Sequence, residues 1–205
     1  MKMMKIATLS LTLAAALATS ACAPIIIGGA MVGSALVATD RRTSGTQLED
    51  QTIEFKSASR IRNELGDKVH VSSNSYNRVL LLTGEANSEA ARDQLTAIGK
   101  GVDGAQDVIN EVEVMPASTL SSRANDTLVA TKIKATLVDA KDLVSSAFEV
   151  VVERGNVYLM GRVTQREADR SSDLIRTIEG VKKVVRCFEI VTEAQLDQLA
   201  PRTSK

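Results

Sequence analysis

Two cysteines and one histidine, Cys22, Cys187 and His70, are the side chains that suggest covalent or metal chemistry. Cys22 lies just after one apolar run and just before another, so it is a candidate for covalent modification, for a disulfide or for a buried thiol. A metal site needs several ligands close together, which a single histidine without a cysteine cluster does not provide. No nucleophile with a positioned base is apparent. We predict no catalytic residue, no metal site and no cofactor.

The remaining ionisable pairs have a simpler interpretation. Glu111 with Glu113, and Glu149 with Glu153, lie on the same face of predicted strands, where we interpret them as solvated side chains. His70 lies in the strand "KVHVSSN" and alternates onto a polar face, which predicts a solvated position for it as well. These residues therefore indicate no acid–base site.

Residues 1–21 are typical of a secretion signal. Lys2 and Lys5 give a basic start, and Ile6–Leu17 is apolar, uncharged and too short to span a bilayer, which takes about 20 apolar residues. Small residues, Thr19-Ser20-Ala21, then precede Cys22. This order resembles a bacterial lipoprotein processing site, in which the cysteine becomes the acylated N-terminus, although Thr19 stands where Leu is usual.

A simple secreted protein is the alternative, because Ala16-Leu17-Ala18 fits an ordinary cleavage site. Acylation of Cys22 would leave Cys187 as a lone thiol, which we interpret as a small strand residue. Ala23 is not Asp, and the lipoprotein resemblance then implies the outer membrane, with the protein lipid-anchored and facing the periplasm. Residues 22–49 would form the acylated cysteine and an apolar, Gly-rich tether.

The amino-acid composition argues against nucleic acid as a partner. The formal net charge is zero and Trp is absent, so neither a basic surface nor a base-stacking platform indicates nucleic acid. The charge is not evenly distributed along the chain. Residues 50–115 carry 7 basic and 11 acidic side chains, a net charge of −4, whereas residues 124–192 carry 11 basic and 10 acidic side chains, a net charge of +1.

The chain repeats itself with a period of about 76 residues. We predict one module at 50–115 and another at 124–192, with a linker at 116–123 and a tail at 193–205. Each module follows the order αββαβ. The alignment pairs Gly84 with Gly161 at the end of the second strand, Gly104 with Gly180 at the end of the second helix, and Ile133 and Leu137 with Ile61 and Leu65. The hairpin turns are predicted at Tyr76-Asn77 and near Asn156.

This order predicts an α+β fold, in which two helices cover one face of a three-stranded mixed sheet in each module. Strand alternation assigns residues of both last strands to the helix side and turns Cys187 away from it. The residues predicted to face the helices are Val108, Val112, Val114, Val184, Phe188 and Ile190.

The modules resemble BON domains. The resemblance rests on an apolar strand ending in glycine, Leu81-Leu82-Thr83-Gly84 or Tyr158-Leu159-Met160-Gly161, and on Val102-Asp103-Gly104 or Ile178-Glu179-Gly180 after the second helix. With the lipoprotein signal and tether, the chain is similar to dual-BON outer-membrane lipoproteins. That resemblance implies a non-enzymatic protein that binds anionic phospholipid through its second BON domain, concentrates at division sites and supports envelope integrity.

The predicted lipid-binding face lies on the first helix of the second module, over residues 127–138. Ala130, Ile133 and Leu137 mark the buried stripe of this helix. The opposite side carries Leu128, Thr131, Lys132 and Ala135, and the proteins that this chain resembles can have Trp at the position of Leu128. The predicted lipid-binding residues are Thr127, Leu128, Thr131, Lys132, Lys134 and Ala135.

A second hypothesis uses the free sheet edges. Exposed strands can pair with a partner chain, which would make the protein a periplasmic scaffold for outer-membrane assembly or cell-wall-remodelling proteins. Both hypotheses, binding to anionic lipid and binding to a partner protein, are compatible with the sequence.

Overall fold

The computed structural model describes residues 40–199. The predicted signal peptide, Cys22 and the tether up to residue 39 lie outside the described residues, as does the tail from residue 200. The described part has the predicted architecture of two αββαβ modules, each with a three-stranded mixed sheet.

In the first module β2 lies in the middle of the sheet, antiparallel to β1 and parallel to β3. Its elements are α1 (Ser44–Leu65), β1 (Val69–Tyr76), β2 (Val79–Ala86), α2 (Glu89–Lys100) and β3 (Asp107–Val114).

The second module repeats this topology, with β5 between antiparallel β4 and parallel β6. Its elements are α3 (Leu120–Asp139), β4 (Glu149–Glu153), β5 (Asn156–Val163), α4 (Gln165–Arg176), β6 (Lys183–Ile190) and the final helix α5 (Glu193–Leu199).

Hydroxyl side chains cap the N-termini of the four longest helices, α1 to α4. Thr43, Ser88, Thr119 and Thr164 each accept a hydrogen bond from a backbone N–H in the first turn of α1, α2, α3 and α4. Because Thr119 caps α3, that helix begins at Leu120 rather than at Thr127, inside the segment predicted as linker.

Each module has its own apolar core between its helices and its sheet. Ile53, Ile61, Leu80, Leu82 and Leu95 fill the first core. The equivalent second core is built from Val129, Ile133, Leu137, Leu159 and Ile175. Val112 and Ile133 are both buried, as predicted.

The predicted residue alignment of α1 with α3, the first helices of the two modules, is wrong by one helical turn. Gly104 packs against Ile53 as Gly180 packs against Val129, and Asp50 and Asp126 both bind the hairpin turn of their module. Ile133 is therefore the equivalent of Ser57. The sequence alignment failed here because Ser57, although fully buried, is polar and was not counted in the stripe.

The helix-free faces of the two sheets pack on each other. Tyr76 and Leu81 from the first sheet meet Tyr158 and Met160 from the second in a third buried apolar cluster. Residues 40–199 therefore form four layers, with α1 and α2 on one outer side and α3 and α4 on the other.

This packing overturns the expectation that the glutamate pairs are solvated. Glu111, Glu113, Glu149 and Glu153 are partly buried, because the sheet face that carries them is covered by the other module. Cys187 is in the same layer, facing away from the helices as predicted.

Several predicted boundaries shift. Gly84 and Gly161 lie inside β2 and β5, and Gly104 and Gly180 lie in the loops before the last strands, with φ of 96° and 98°, beyond the ends of their helices. The hairpin turns centre on Asn77-Arg78 and Arg154-Gly155, all at positive φ.

The predicted inward set is correct except at the strand ends. Val108, Val184 and Phe188 pack against the cores with Val112. Val114 and Ile190, the last residues of β3 and β6, are exposed.

Candidate functional site

The outer side of α3 carries all six residues predicted to bind lipid. Asp126, Val129, Ile133 and Leu137 are buried toward the sheet. Ala130, predicted in the buried stripe, is only partly buried, and Val129 takes its place. All six predicted residues are exposed, namely Thr127, Leu128, Thr131, Lys132, Lys134 and Ala135.

Helix geometry orders these residues into an apolar centre with a lysine on each flank. With about 3.6 residues per turn, Leu128, Thr131 and Ala135 lie opposite the buried stripe, and Lys132 and Lys134 lie on either side of them. We name the six residues, together with Leu120 and Val138, the α3 outer face.

Leu120 and Val138 extend the apolar area and were missed from the sequence. They are 79% and 68% exposed, and Leu128 is 63% exposed. Leu120 was missed because the helix was predicted to begin at Thr127, and the Ser118-Thr119 pair before it was the capping signal.

Threonine hydroxyls on this helix are satisfied internally. Thr127 Oγ1 donates to the carbonyl oxygen of Arg123 at 3.0 Å, and Thr131 Oγ1 donates to that of Thr127 at 2.9 Å. The protons of both hydroxyl groups therefore need no water partner, which suits an apolar environment.

The two lysines differ in their surroundings. Lys132 Nζ lies 3.8 Å from Glu179 Oε2 in an exposed pair, which contributes little to stability. Lys134 has no ion pair within residues 40–199. Both ammonium groups are therefore accessible to an anionic surface.

A second polar cluster lies at the junction of the two modules. Glu85, 1% exposed, meets Arg154 Nε at 2.5 Å and lies 3.3 Å from His70 Nδ1. Arg123 Nη1 lies 2.5 Å from His70 Nε2, and because a guanidinium can only donate, Nε2 accepts. The expectation of a solvated His70 is therefore wrong, since the second module covers that strand face.

The junction also changes the acidity of its groups. Burial, followed by the charges of Glu85 and Asp126, raises the pKa of Glu153. Burial and then Glu111 raise the pKa of Cys187 to about 11. A thiol of this acidity at a covered position is a poor nucleophile.

Two arginines before α1 bind both modules. Arg41 pairs with Glu167 through both Nη atoms at 2.8 Å. Arg42 bonds Asp50 at 3.0 Å, and its guanidinium carbon lies 4.1 Å from the centre of the Tyr76 ring. Neither arginine was identified from the sequence, although the Thr164-x-x-Glu167 capping box was a readable signal.

Within residues 40–199, no three His, Cys, Asp or Glu side chains form a group that could hold a metal ion. The helices described there include none with the length and hydropathy needed to cross a membrane.

Comparison with protein families matches the BON domain at residues 49–116 and again at residues 125–192. The outer membrane lipoprotein DolP of Haemophilus influenzae is 35% identical over 183 residues, which are 88% of this chain and 94% of that protein.

Two further relatives share less. The 21 kDa hemolysin of Actinobacillus pleuropneumoniae is 25% identical over 154 residues, 74% of this chain and 79% of the relative. The osmotically-inducible protein Y of Escherichia coli K12 is 29% identical over 145 residues, 68% of this chain and 72% of the relative. From the two family matches and the extent of the similarity to DolP, this chain belongs to the BON-domain family, as a DolP-like protein with two such domains.

Proposed function

We propose that the protein is a non-enzymatic outer-membrane lipoprotein, acylated at Cys22 and facing the periplasm, whose α3 outer face binds anionic phospholipid. The observation that carries this proposal is an exposed apolar stripe on α3 with a lysine on each flank. Similarity to DolP over 88% of the chain supports the outer-membrane location and a role in envelope integrity, which we extend to division sites.

The energetics favour weak binding. Burying a Leu side chain such as Leu128 contributes at most about 1.5–3 kcal/mol, and each lysine near an anionic surface about 1 kcal/mol. These contributions suit a millimolar to high micromolar affinity. An acyl anchor at Cys22 would raise the local concentration enough for such contacts to form.

The test is co-sedimentation of residues 40–205 with vesicles of phosphatidylcholine, with and without phosphatidylglycerol. This fragment contains both cores and the junction between the modules. We expect binding that depends on phosphatidylglycerol, and loss of most of it in a Lys132→Glu/Lys134→Glu variant.

A matched control separates position from net charge. Lys68→Glu/Lys100→Glu changes two exposed lysines of the first module and alters the net charge by the same amount. We expect the control to bind nearly as well as the parent. Equal binding by the Lys132→Glu/Lys134→Glu variant and the parent would exclude the α3 outer face as the lipid site.

Acylation has its own test. Cells fed a clickable fatty acid should label the protein, and a Cys22→Ser variant should not be labelled. A label retained by that variant would contradict the proposal.

The absence of enzymatic activity is also part of the proposal. His70 lies between Arg123 and Glu85 in the junction, which supports a structural role for it. A His70→Ala protein that is folded should bind vesicles and support the envelope as the parent does. Loss of envelope function in that folded variant would reopen the search for chemistry.

The alternative is a protein-interaction scaffold that uses its sheet edges. Each sheet has only three strands, so β1 and β3, and β4 and β6, are edge strands within it. Under this alternative, outer-membrane assembly or cell-wall-remodelling proteins would add a strand there, and vesicle binding would not need Lys132 or Lys134.

A further inference from the structure

The outer side of α1 repeats the chemistry of the α3 outer face. Phe55 and Leu48 are 76% and 65% exposed, on the side of α1 opposite its buried stripe. Phe55 is an exposed ring, whereas Tyr76, Tyr158 and Phe148 are buried. We name Leu48, Thr52, Phe55, Lys56 and Arg62 the α1 outer face.

Two details of this face match the α3 outer face. Thr52 Oγ1 donates to the carbonyl oxygen of Leu48 at 2.8 Å, as Thr131 Oγ1 donates to that of Thr127 at 2.9 Å. Lys56 pairs with Asp103 at 3.7 Å, as Lys132 pairs with Glu179 at 3.8 Å.

Charge indicates which partner this face fits. Lys56 and Arg62 flank the apolar residues. Of the acids on this helix, Glu49 is already paired with Arg78 at 2.5 Å, and Glu64 is exposed two positions after Arg62. An apolar helix face with basic flanks fits an anionic lipid surface better than it fits a basic protein. The net charge of −4 on the first module opposes this attraction at longer range, so binding by α1 should be weaker than binding by α3.

The position of the two faces has a further consequence. Since the sheets pack on each other, α1 and α3 belong to opposite outer layers. We propose that the α1 outer face is a second lipid-contact face, directed away from the first, so that one molecule can contact two lipid surfaces. The bridging part of this proposal rests on lipid binding by α3, whereas lipid binding by α1 does not.

The experiment combines two changes in residues 40–205, Phe55→Ser on α1 and Leu128→Ser/Lys132→Glu on α3. Binding to phosphatidylglycerol-containing vesicles is measured by co-sedimentation, and bridging by the increase in vesicle particle size in light scattering. Ile190→Ser removes an exposed apolar side chain that lies on neither helix and is the control. All variants are checked for native circular dichroism and for a monomeric sedimentation coefficient without vesicles.

We expect the parent and Ile190→Ser to bridge vesicles. Phe55→Ser should lose bridging but keep most of the binding. The α3 variant should also lose bridging and keep a weaker binding that disappears when Phe55→Ser is added. This residual, Phe55-dependent binding supports the second face whether or not α3 is a lipid site.

Other outcomes are distinguishable. Binding that Phe55→Ser leaves intact and the α3 variant abolishes, without bridging by the parent, would overturn the second face and leave the proposed function standing. Phe55-dependent self-association of the fragment without lipid would assign the face to a second copy and overturn the proposal. No binding by any protein would overturn both proposals.

Discussion

Arg41 and Glu167 form a two-bond ion pair that joins the segment before α1 to the second module. The same carboxylate accepts the backbone N–H of Thr164 at 3.0 Å, and Arg41 Nη1 also donates to the carbonyl oxygen of Arg162 at 2.7 Å. Burial raises the pKa of Glu167, but the hydrogen bonds from Arg41 and Thr164 outweigh it, so this pKa lies below its ordinary value of 4.5.

Arg41→Ala should therefore destabilise the protein by about 2–4 kcal/mol at neutral pH, because it leaves a buried carboxylate without its cation. The folded pKa of Glu167 is lower than the unfolded one, so the ionised carboxylate contributes stability above pH 4.5 that is lost as the pH falls through the folded pKa. The difference between parent and variant should shrink in acid. Urea unfolding at several pH values measures it.

The control for this prediction is Arg170→Ala. Arg170 pairs with Asp142 at 2.9 Å at the surface, and its loss should cost at most about 1 kcal/mol. Equal losses from Arg41→Ala and Arg170→Ala would contradict a structural role for the Arg41 pair.

The two buried aspartates, Asp50 and Asp126, should contribute differently to the free energy of unfolding. Asp126 accepts the backbone N–H groups of Arg154 and Gly155 at 2.9 and 2.8 Å. Asp50 accepts those of Asn77 and Arg78 at 2.8 and 2.7 Å, and its carboxylate also binds the guanidinium of Arg42 at 3.0 Å.

Replacement by Asn removes the charge and one acceptor at each site. Asp50→Asn should cost more than Asp126→Asn, by about 1–2 kcal/mol, because a hydrogen bond to a charged group is lost as well. Chemical denaturation of the two variants tests this order. An equal or reversed order would show that Arg42 does not stabilise the fold.

The sequence was sufficient for the parts that depend on local pattern. Glycine spacing and strand alternation predicted two αββαβ modules, and helix periodicity turned Leu128, Lys132 and Lys134 outward. What it could not provide was the packing of sheet on sheet. The strand face that carries Glu113 and Glu153 reads as polar and solvated, and only the presence of the second module makes it an interface.

The same limit explains why the contacts of Arg41 and Arg42 were not predicted from the sequence. Arg41 forms its ion pair 126 positions along the chain, with Glu167, and no periodicity links such distant residues. Asp50 and Asp126, by contrast, differ by the repeat period, and their equivalence was available in the sequence.

Glycine substitutions should separate steric from conformational effects. Gly84 has φ of 121°, and a Cβ there would collide with the backbone carbonyl oxygen of His70 in the neighbouring strand. Gly84→Ala must move a β-ladder and should cost at least about 3 kcal/mol.

Gly45 is the control position for Gly84. It lies in the first turn of α1, where a Cβ would have only a contact at 3.8 Å with Thr43 Oγ1, so Gly45→Ala should raise stability by about 0.5–1 kcal/mol. Thermal unfolding of both variants should shift in opposite directions. A harmless Gly84→Ala would contradict the β1–β2 pairing described here.

The last prediction concerns Cys187, which is packed between the sheets with Tyr158 and Met160. With a thiol pKa of about 11, roughly one thiol in a thousand is ionised at pH 8, and the covering sheet limits access further. In residues 40–205, where Cys187 is the only cysteine, a disulfide reagent should react at least about a hundredfold more slowly with folded than with unfolded protein. Glu111→Gln should raise the rate modestly, because the Glu111 charge disfavours the thiolate. Reaction of the native fragment at the rate of an unfolded cysteine would mean that the two sheets do not stay packed in solution.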